Sequence, residues 1–166
     1  MEGANSKRGH NEVQNINANY LVPTLHLSYS PAITPAERIL IADAETAARV
    51  FYSLWNQSGN NAEERFKIML LDEDSGLIGV DDLDFGWKSK FGIDPAIVYR
   101  KAVAFGARFV ILSQYLPDGP ANPTKEDLIL CNQLIQAGLV LRIPFRDHMI
   151  ISRNGSYWHS ASLGDH

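Results

Sequence analysis

The residues able to do chemistry gather around one stretch, 113–127, which reads SQYLPDGPANPTKED. Pro117, Gly119, Pro120 and Pro123 fall close together and make the loop stiff and specific in shape. Thr124 and Asp127 stand in a Thr-x-x-Asp pattern. That spacing is a near capping box, in which the threonine hydroxyl accepts from the amide of residue 127 and the carboxylate favours the positive end of a helix. Histidines stand at positions 10, 26, 148, 159 and 166, and no two are spaced as a ligand pair. Cys131 is the only cysteine, so an intrachain disulfide and a cysteine-rich zinc site are both excluded. With Leu130 and Leu134 beside it, Cys131 is expected to be a buried thiol acting as a small hydrophobe. No glycine-rich nucleotide loop occurs.

The elements that position this loop follow from periodicity. Residues 1–19 are rich in Asn, Gly and charge and are expected to form a flexible arm ahead of a single domain over 20–166. YLVPTLHLSY (20–29) alternates as an edge strand would, with Pro23 near its start. Asp43 is a candidate N-cap for a helix to about Trp55, with Ala47, Val50, Phe51, Leu54 and Trp55 on one face. Phe66–Leu71 and Leu77–Leu83 are strand-like and joined by a hairpin over 72–76. Asp94-Pro95 starts a helix ending near Phe105, with Gly106 as its C-cap. Phe109–Leu112 is expected as a buried strand that feeds the loop 113–127. A helix over 125–141 follows, with Leu128, Cys131, Ile135 and Leu139 facing inward. His148–Ser152 and Ser156–Ser160 flank Asn154-Gly155, a strong hairpin signal. The order is β, helix, ββ, helix, β, helix, ββ, a mixed α/β layer.

Composition bounds the function. At 166 residues, 45% hydrophobic and 20% charged, the chain is about one domain long and can bury a core. A net charge of −4 argues against electrostatic capture of nucleic acid. No apolar run reaches the ~18 residues of a membrane span, and no secretory signal precedes the domain. The expectation is a cytoplasmic protein without a membrane partner.

Several stretches match one family in order and spacing: ERFKIMLLD, Gly86 ahead of Asp94-Pro95, VILSQYLPDG, PTKED, and IPFRDHMII with its Asn-Gly hairpin. From Glu64 to Gly164 the chain resembles the RadC-like branch of the JAB/MPN (JAMM) metallopeptidase superfamily. The LSYSP-like leader and FKIMLLD look most similar to versions carried by Bacteroidetes mobile elements. The resemblance implies the JAMM, cytidine-deaminase-like fold: a curved mixed β-sheet flanked by helices.

The family motif is His-x-His-Pro, six residues, Ser, two residues, Asp. Two imidazoles and the carboxylate hold zinc, leaving a position for water. An earlier glutamate takes a proton from that water, and the serine stabilises the tetrahedral intermediate. The resemblance places the catalytic positions on Glu64 and Thr124 and the metal positions on Gln114, Leu116 and Asp127, with Pro117 as the motif proline. Leucine cannot ligate zinc, and a glutamine amide is a weak partner for it. The expectation is a degenerate JAMM domain with no cofactor and no catalytic residue. Its groove, formed by Gln114, Leu116, Pro117, Thr124 and Asp127, would be kept for an extended peptide or protein tail. Two alternatives stand beside this pseudoenzyme: a zinc isopeptidase-type hydrolase with unconventional ligands, and a DNA-repair or mobile-element role.

Overall fold

The computed structural model describes residues 33–57, 63–83 and 93–160. The expected arm over 1–19, the strand over 20–29 and Gly86 lie outside the described residues, as do His10, His26 and His166. A short 3-10 turn, Pro35–Glu37, leads into α1 (Ala44–Gln57). Asp43 starts that helix as the sequence implies, because its Oδ1 accepts from the Thr46 amide at 2.7 Å.

β1 (Arg65–Leu71) and β2 (Leu77–Leu83) form the expected hairpin. Asp72 organises its turn by accepting from the amides of Asp74 and Gly76 and from Arg38 at 2.7 Å. α2 (Pro95–Ala104) is capped by Asp94, whose carboxylate accepts from the Ala96 amide. It ends on Phe105, with Gly106 at a positive φ of 65°. β3 (Phe109–Leu116), α3 (Lys125–Leu141), β4 (Phe145–Ser152) and β5 (Tyr157–His159) complete the chain, the last two joined through Gly155 at φ 85°.

The sheet is mixed, with strand order β2-β1-β3-β4-β5. Among the described strands only β3 and β4 pair in parallel, and α3 is the crossover that parallel pairing requires. Helices cover both faces. One face of the sheet packs Phe66, Ile68, Leu112 and Val110 against Val98, Tyr99, Leu130 and Leu134 of α2 and α3. The other packs Met69, Ile111, Tyr115 and Met149 against Phe51 and Trp55 of α1. The central strands β1, β3 and β4 are therefore buried on both faces, and their sequences read as continuous apolar runs.

Two expectations are corrected. β3 continues past Leu112 to Leu116, so Gln114 and Leu116 sit in a strand and the irregular loop starts at Pro117. The polar Ser113 and Gln114 look like a strand's end, but β1 and β4 flank them through Tyr115 and keep the ladder paired. On α3 the inward residues are Asp127, Leu130, Cys131, Leu134 and Gly138. Of the expected inward set only Cys131 is buried, while Leu128, Ile135 and Leu139 are exposed. The helix is apolar on nearly every side, so either stripe satisfies the i, i+3, i+4 rule, and the sheet chooses between them.

Gly138 shows how tightly α3 is seated. A Cβ there would meet the Tyr99 hydroxyl, the Ile143 carbonyl at 2.6 Å and the Phe145 amide at 3.0 Å. Gly138→Ala raises helix propensity by about 1 kcal/mol, yet overpacking costs typically ~1–3 kcal/mol. The expected net result is a lower denaturant midpoint; an unchanged or higher midpoint would show that α3 can shift away from β4.

Candidate functional site

One row of side chains crosses the sheet: Leu83, Phe66, Gln114, Ile150 and Trp158 are successive partners from β2 to β5. Extending the β1–β3 register by one residue sets Glu64 beside Leu116, diagonal to Gln114. The side chains meet as this geometry requires, with Gln114 Nε2 donating to the Glu64 carboxylate. Gln114 is fully buried and Glu64 is exposed at the strand's start, so the contact runs from the core to the surface. The other amide atom, Gln114 Oε1, is buried and finds no hydrogen-bond partner among the described residues. A buried acceptor left this way costs about 1–3 kcal/mol.

β3 ends on half-buried Leu116, and the chain then passes through half-buried Pro117, an exposed tip at Asp118–Pro120, and buried Ala121. Thr124 then starts α3 with a complete capping box. Asp127 Oδ2 accepts from both the Thr124 amide and hydroxyl at 2.7 Å, and the Asp127 amide donates to Thr124 Oγ1 at 3.3 Å. Asp127 is buried and Thr124 exposed. The Thr-x-x-Asp reading of the sequence is thus realised atom by atom.

One turn along α3, Cys131 Sγ lies 3.2 Å from Nδ1 of buried His148 on β4. Burial pushes the thiol up to about 12, and the carboxylates of Asp127 and Asp147 add to the shift. A thiol held protonated is the natural donor here, with Nδ1 accepting. The ring of His148 also meets Trp158 edge-on at 6.2 Å. The buried thiol was expected from Leu130 and Leu134; its histidine partner was not, because seventeen residues and a strand crossover separate them.

The opposite face holds polar groups that sequence reasoning missed. Asp147, fully buried, accepts from the Ser160 amide at 2.8 Å and hydroxyl at 2.6 Å and lies 3.2 Å from His159 Nδ1. Buried Lys67 reaches Asp82 at 2.6 Å and lies 4.7 Å from the centre of the Trp55 ring. A sequence signal for that pair did exist: Lys67 and Asp82 face each other across the predicted hairpin. An apolar cavity of about 550 Å³ opens on this side, lined by Val50, Leu54, Leu77, Val80 and Lys67 among others. It is remote from Gln114 and Asp127, which lie on the α3 side.

The structure therefore joins Glu64 to Gln114 and Thr124 to Asp127, and carries Leu116 and Pro117 between them at the end of β3. Two outcomes test these contacts. Thr124→Ala is expected to destabilise the fold by about 1 kcal/mol, the usual loss with an N-cap, read from chemical denaturation; an unmoved midpoint would remove the box as the anchor of α3. Cys131 is expected to resist a maleimide in the native protein and to react fully in denaturant. Rapid native labelling would place the thiol at the surface.

Comparison with known proteins agrees with this architecture. A family model described as the RadC-like JAB domain matches residues 41–164. A UPF0758 protein of Microcystis aeruginosa is 32% identical over 132 residues, covering 79% of this chain and 52% of the relative. UPF0758 proteins of a Picosynechococcus and a Cyanothece species are 31% and 33% identical, each covering 79% of this chain and 54% and 56% of the relatives. The chain thus spans about half the length of these curated relatives. With its sequence matched by that family model over 41–164 and by these relatives, the chain belongs to the RadC-like JAB domain family.

Proposed function

We propose that this chain is a non-hydrolytic RadC-like JAB domain that holds an extended peptide or protein tail. The observation that carries the reading is the hydrogen bond from Gln114 to Glu64. In the family's arrangement the first position would hold metal and the second would serve a metal-bound water. Here the two side chains satisfy each other directly.

The donor set does not fit zinc. Leu116 has no donor atom and Gln114 offers only a neutral amide oxygen, so Asp127 is the one strong ligand among the three metal positions where zinc needs three. Among the described residues no three His, Cys, Asp or Glu side chains converge as a metal site.

Peptide binding has a route through the sheet. β2 forms an edge of the sheet among the described residues, and its last residue, Leu83, opens the row that leads through Phe66 to Gln114. An extended segment added along β2 would bring its end to this row, with backbone hydrogen bonds supplying affinity. Membership of the Bacteroidetes mobile-element branch and a cytoplasmic setting belong to the same proposal. They are supported by the FKIMLLD pattern and by the single, buried cysteine. No described helix is long and apolar enough to cross a membrane.

Zinc titration separates this reading from hydrolysis. The parent protein is expected to bind zinc weakly, and the double variant Gln114→His, Leu116→His is expected to bind it much more tightly, because Asp127 then completes a three-ligand set. Equal weak binding by both would mean that the end of β3 and the start of α3 are not held in a metal-binding geometry. Peptide cleavage by the parent that disappears in Glu64→Gln would sink the non-hydrolytic reading outright.

A further inference from the structure

The outer face of α3 is unusual for a helix on a protein surface. From Leu128 to Leu141 it carries no charged side chain. Val140 is 82% exposed, Leu139 64% and Ile129 59%, with Leu128 and Ile135 also open to solvent. Leu141 is exposed as well, and the other outward positions are the amides Asn132, Gln133 and Gln136. A helix that packs on its core along one stripe normally carries charge on the other side. A contiguous apolar strip of this kind marks an interaction surface.

Charges return only at the two ends: Lys125 and Glu126 in the first turn, and Arg142 at the C-cap. This distribution defines a self-complementary register. Set antiparallel to its own copy with Glu126 opposite Arg142, the helix pairs Leu128 with Val140, Ile129 with Leu139, and Asn132 with Gln136. Two apolar pairs and one amide pair match, Ile135 falls opposite Gln133 beside the axis, and the Glu126–Arg142 charge pair closes both ends. The antiparallel arrangement also sets each helix's positive end beside the other's negative end. A face that complements itself in this way fits an isologous two-fold contact.

We infer that α3 is the docking surface for a second copy of this chain, paired antiparallel about a two-fold axis near Leu134. The helix is about 25 Å long and about 10 Å wide, so its footprint is well below the ~800 Å² per partner of a tight standard interface. The dimer is accordingly expected to be weak and reversible. The site at Gln114 and Glu64 lies on the end of β3 and is not covered by this contact's register.

Sedimentation equilibrium of the full chain, over about two decades of concentration around ten micromolar, tests the inference. The mass is expected to rise from monomer to dimer and no further. Val140→Glu and Leu139→Glu change exposed side chains, so circular dichroism and melting should be preserved while the dimer is lost. Glu126→Arg should weaken dimerisation several-fold, and adding Arg142→Glu should restore it. A monomer throughout, an assembly beyond the dimer, or a dimer indifferent to Val140→Glu overturns the inference. Failure of the double reversal to rescue the single one overturns the antiparallel register.

Discussion

The parallel pairing of β3 with β4 is the constraint on which the rest of the structure depends. Parallel neighbours cannot be joined by a tight turn, so a crossover must leave the end of β3, traverse one face and return to the start of β4. That crossover is the loop from Pro117 to Thr124 followed by α3. The candidate site lies where this departure is made. Gln114 and Leu116 end the strand, Thr124 and Asp127 start the helix, and the neighbouring antiparallel strand β1 contributes Glu64. The register of β1 on β3 fixes the last of these, since a slip by one residue would turn Glu64 to the opposite face.

Burial of the central strands on both faces imposes a second demand: each polar side chain within them must find a partner inside the protein. Ser113 accepts from the Trp55 indole at 3.2 Å, Asp147 gathers Ser160 and His159, and His148 meets Cys131. Gln114 meets the demand with only one of its two amide atoms. Polar residues placed at 0% exposure in the middle of a sheet are costly unless each is matched. At Gln114 the amide oxygen is left buried without a hydrogen-bond partner among the described residues.

Much of the scaffold was legible in the sequence because local signals and tertiary demands agree there. Asp43, Asp94-Pro95, Thr124 with Asp127, and Asn154-Gly155 each act within a few residues, and each element starts or turns where they stand. Two readings failed where tertiary context decides. The sheet extends β3 to Leu116 through residues with no strand signal of their own, because both neighbouring strands continue past them. On α3 the uncharged run gives two equivalent apolar stripes, and contacts with Tyr99 and Ile143 at Gly138 select the one that periodicity did not. The long-range pairs Cys131–His148 and Asp147–His159 had no local signature. The contact of Glu64 with Gln114 follows from the pairing of β1 with β3, which likewise has no local signature in the sequence.

Several polypeptide contacts shape the site. The prolines set the direction of the chain after β3, Asn122 donates to the Pro120 carbonyl at 2.8 Å, and the capping box fixes the first turn of α3. Asp127 is held through Oδ2 by Thr124, a restraint that follows from the start of the helix. Substituting the residues at 114 and 116 therefore leaves the surrounding loop with its own source of rigidity. Leu116 can pack where a polar ligand would require a partner, and the Gln114 amide bridges β1 and β3 through Glu64. A loop anchored by its prolines and by the capping box of α3 does not depend on which side chains stand at 114 and 116, so scaffold and site chemistry are separable in this fold.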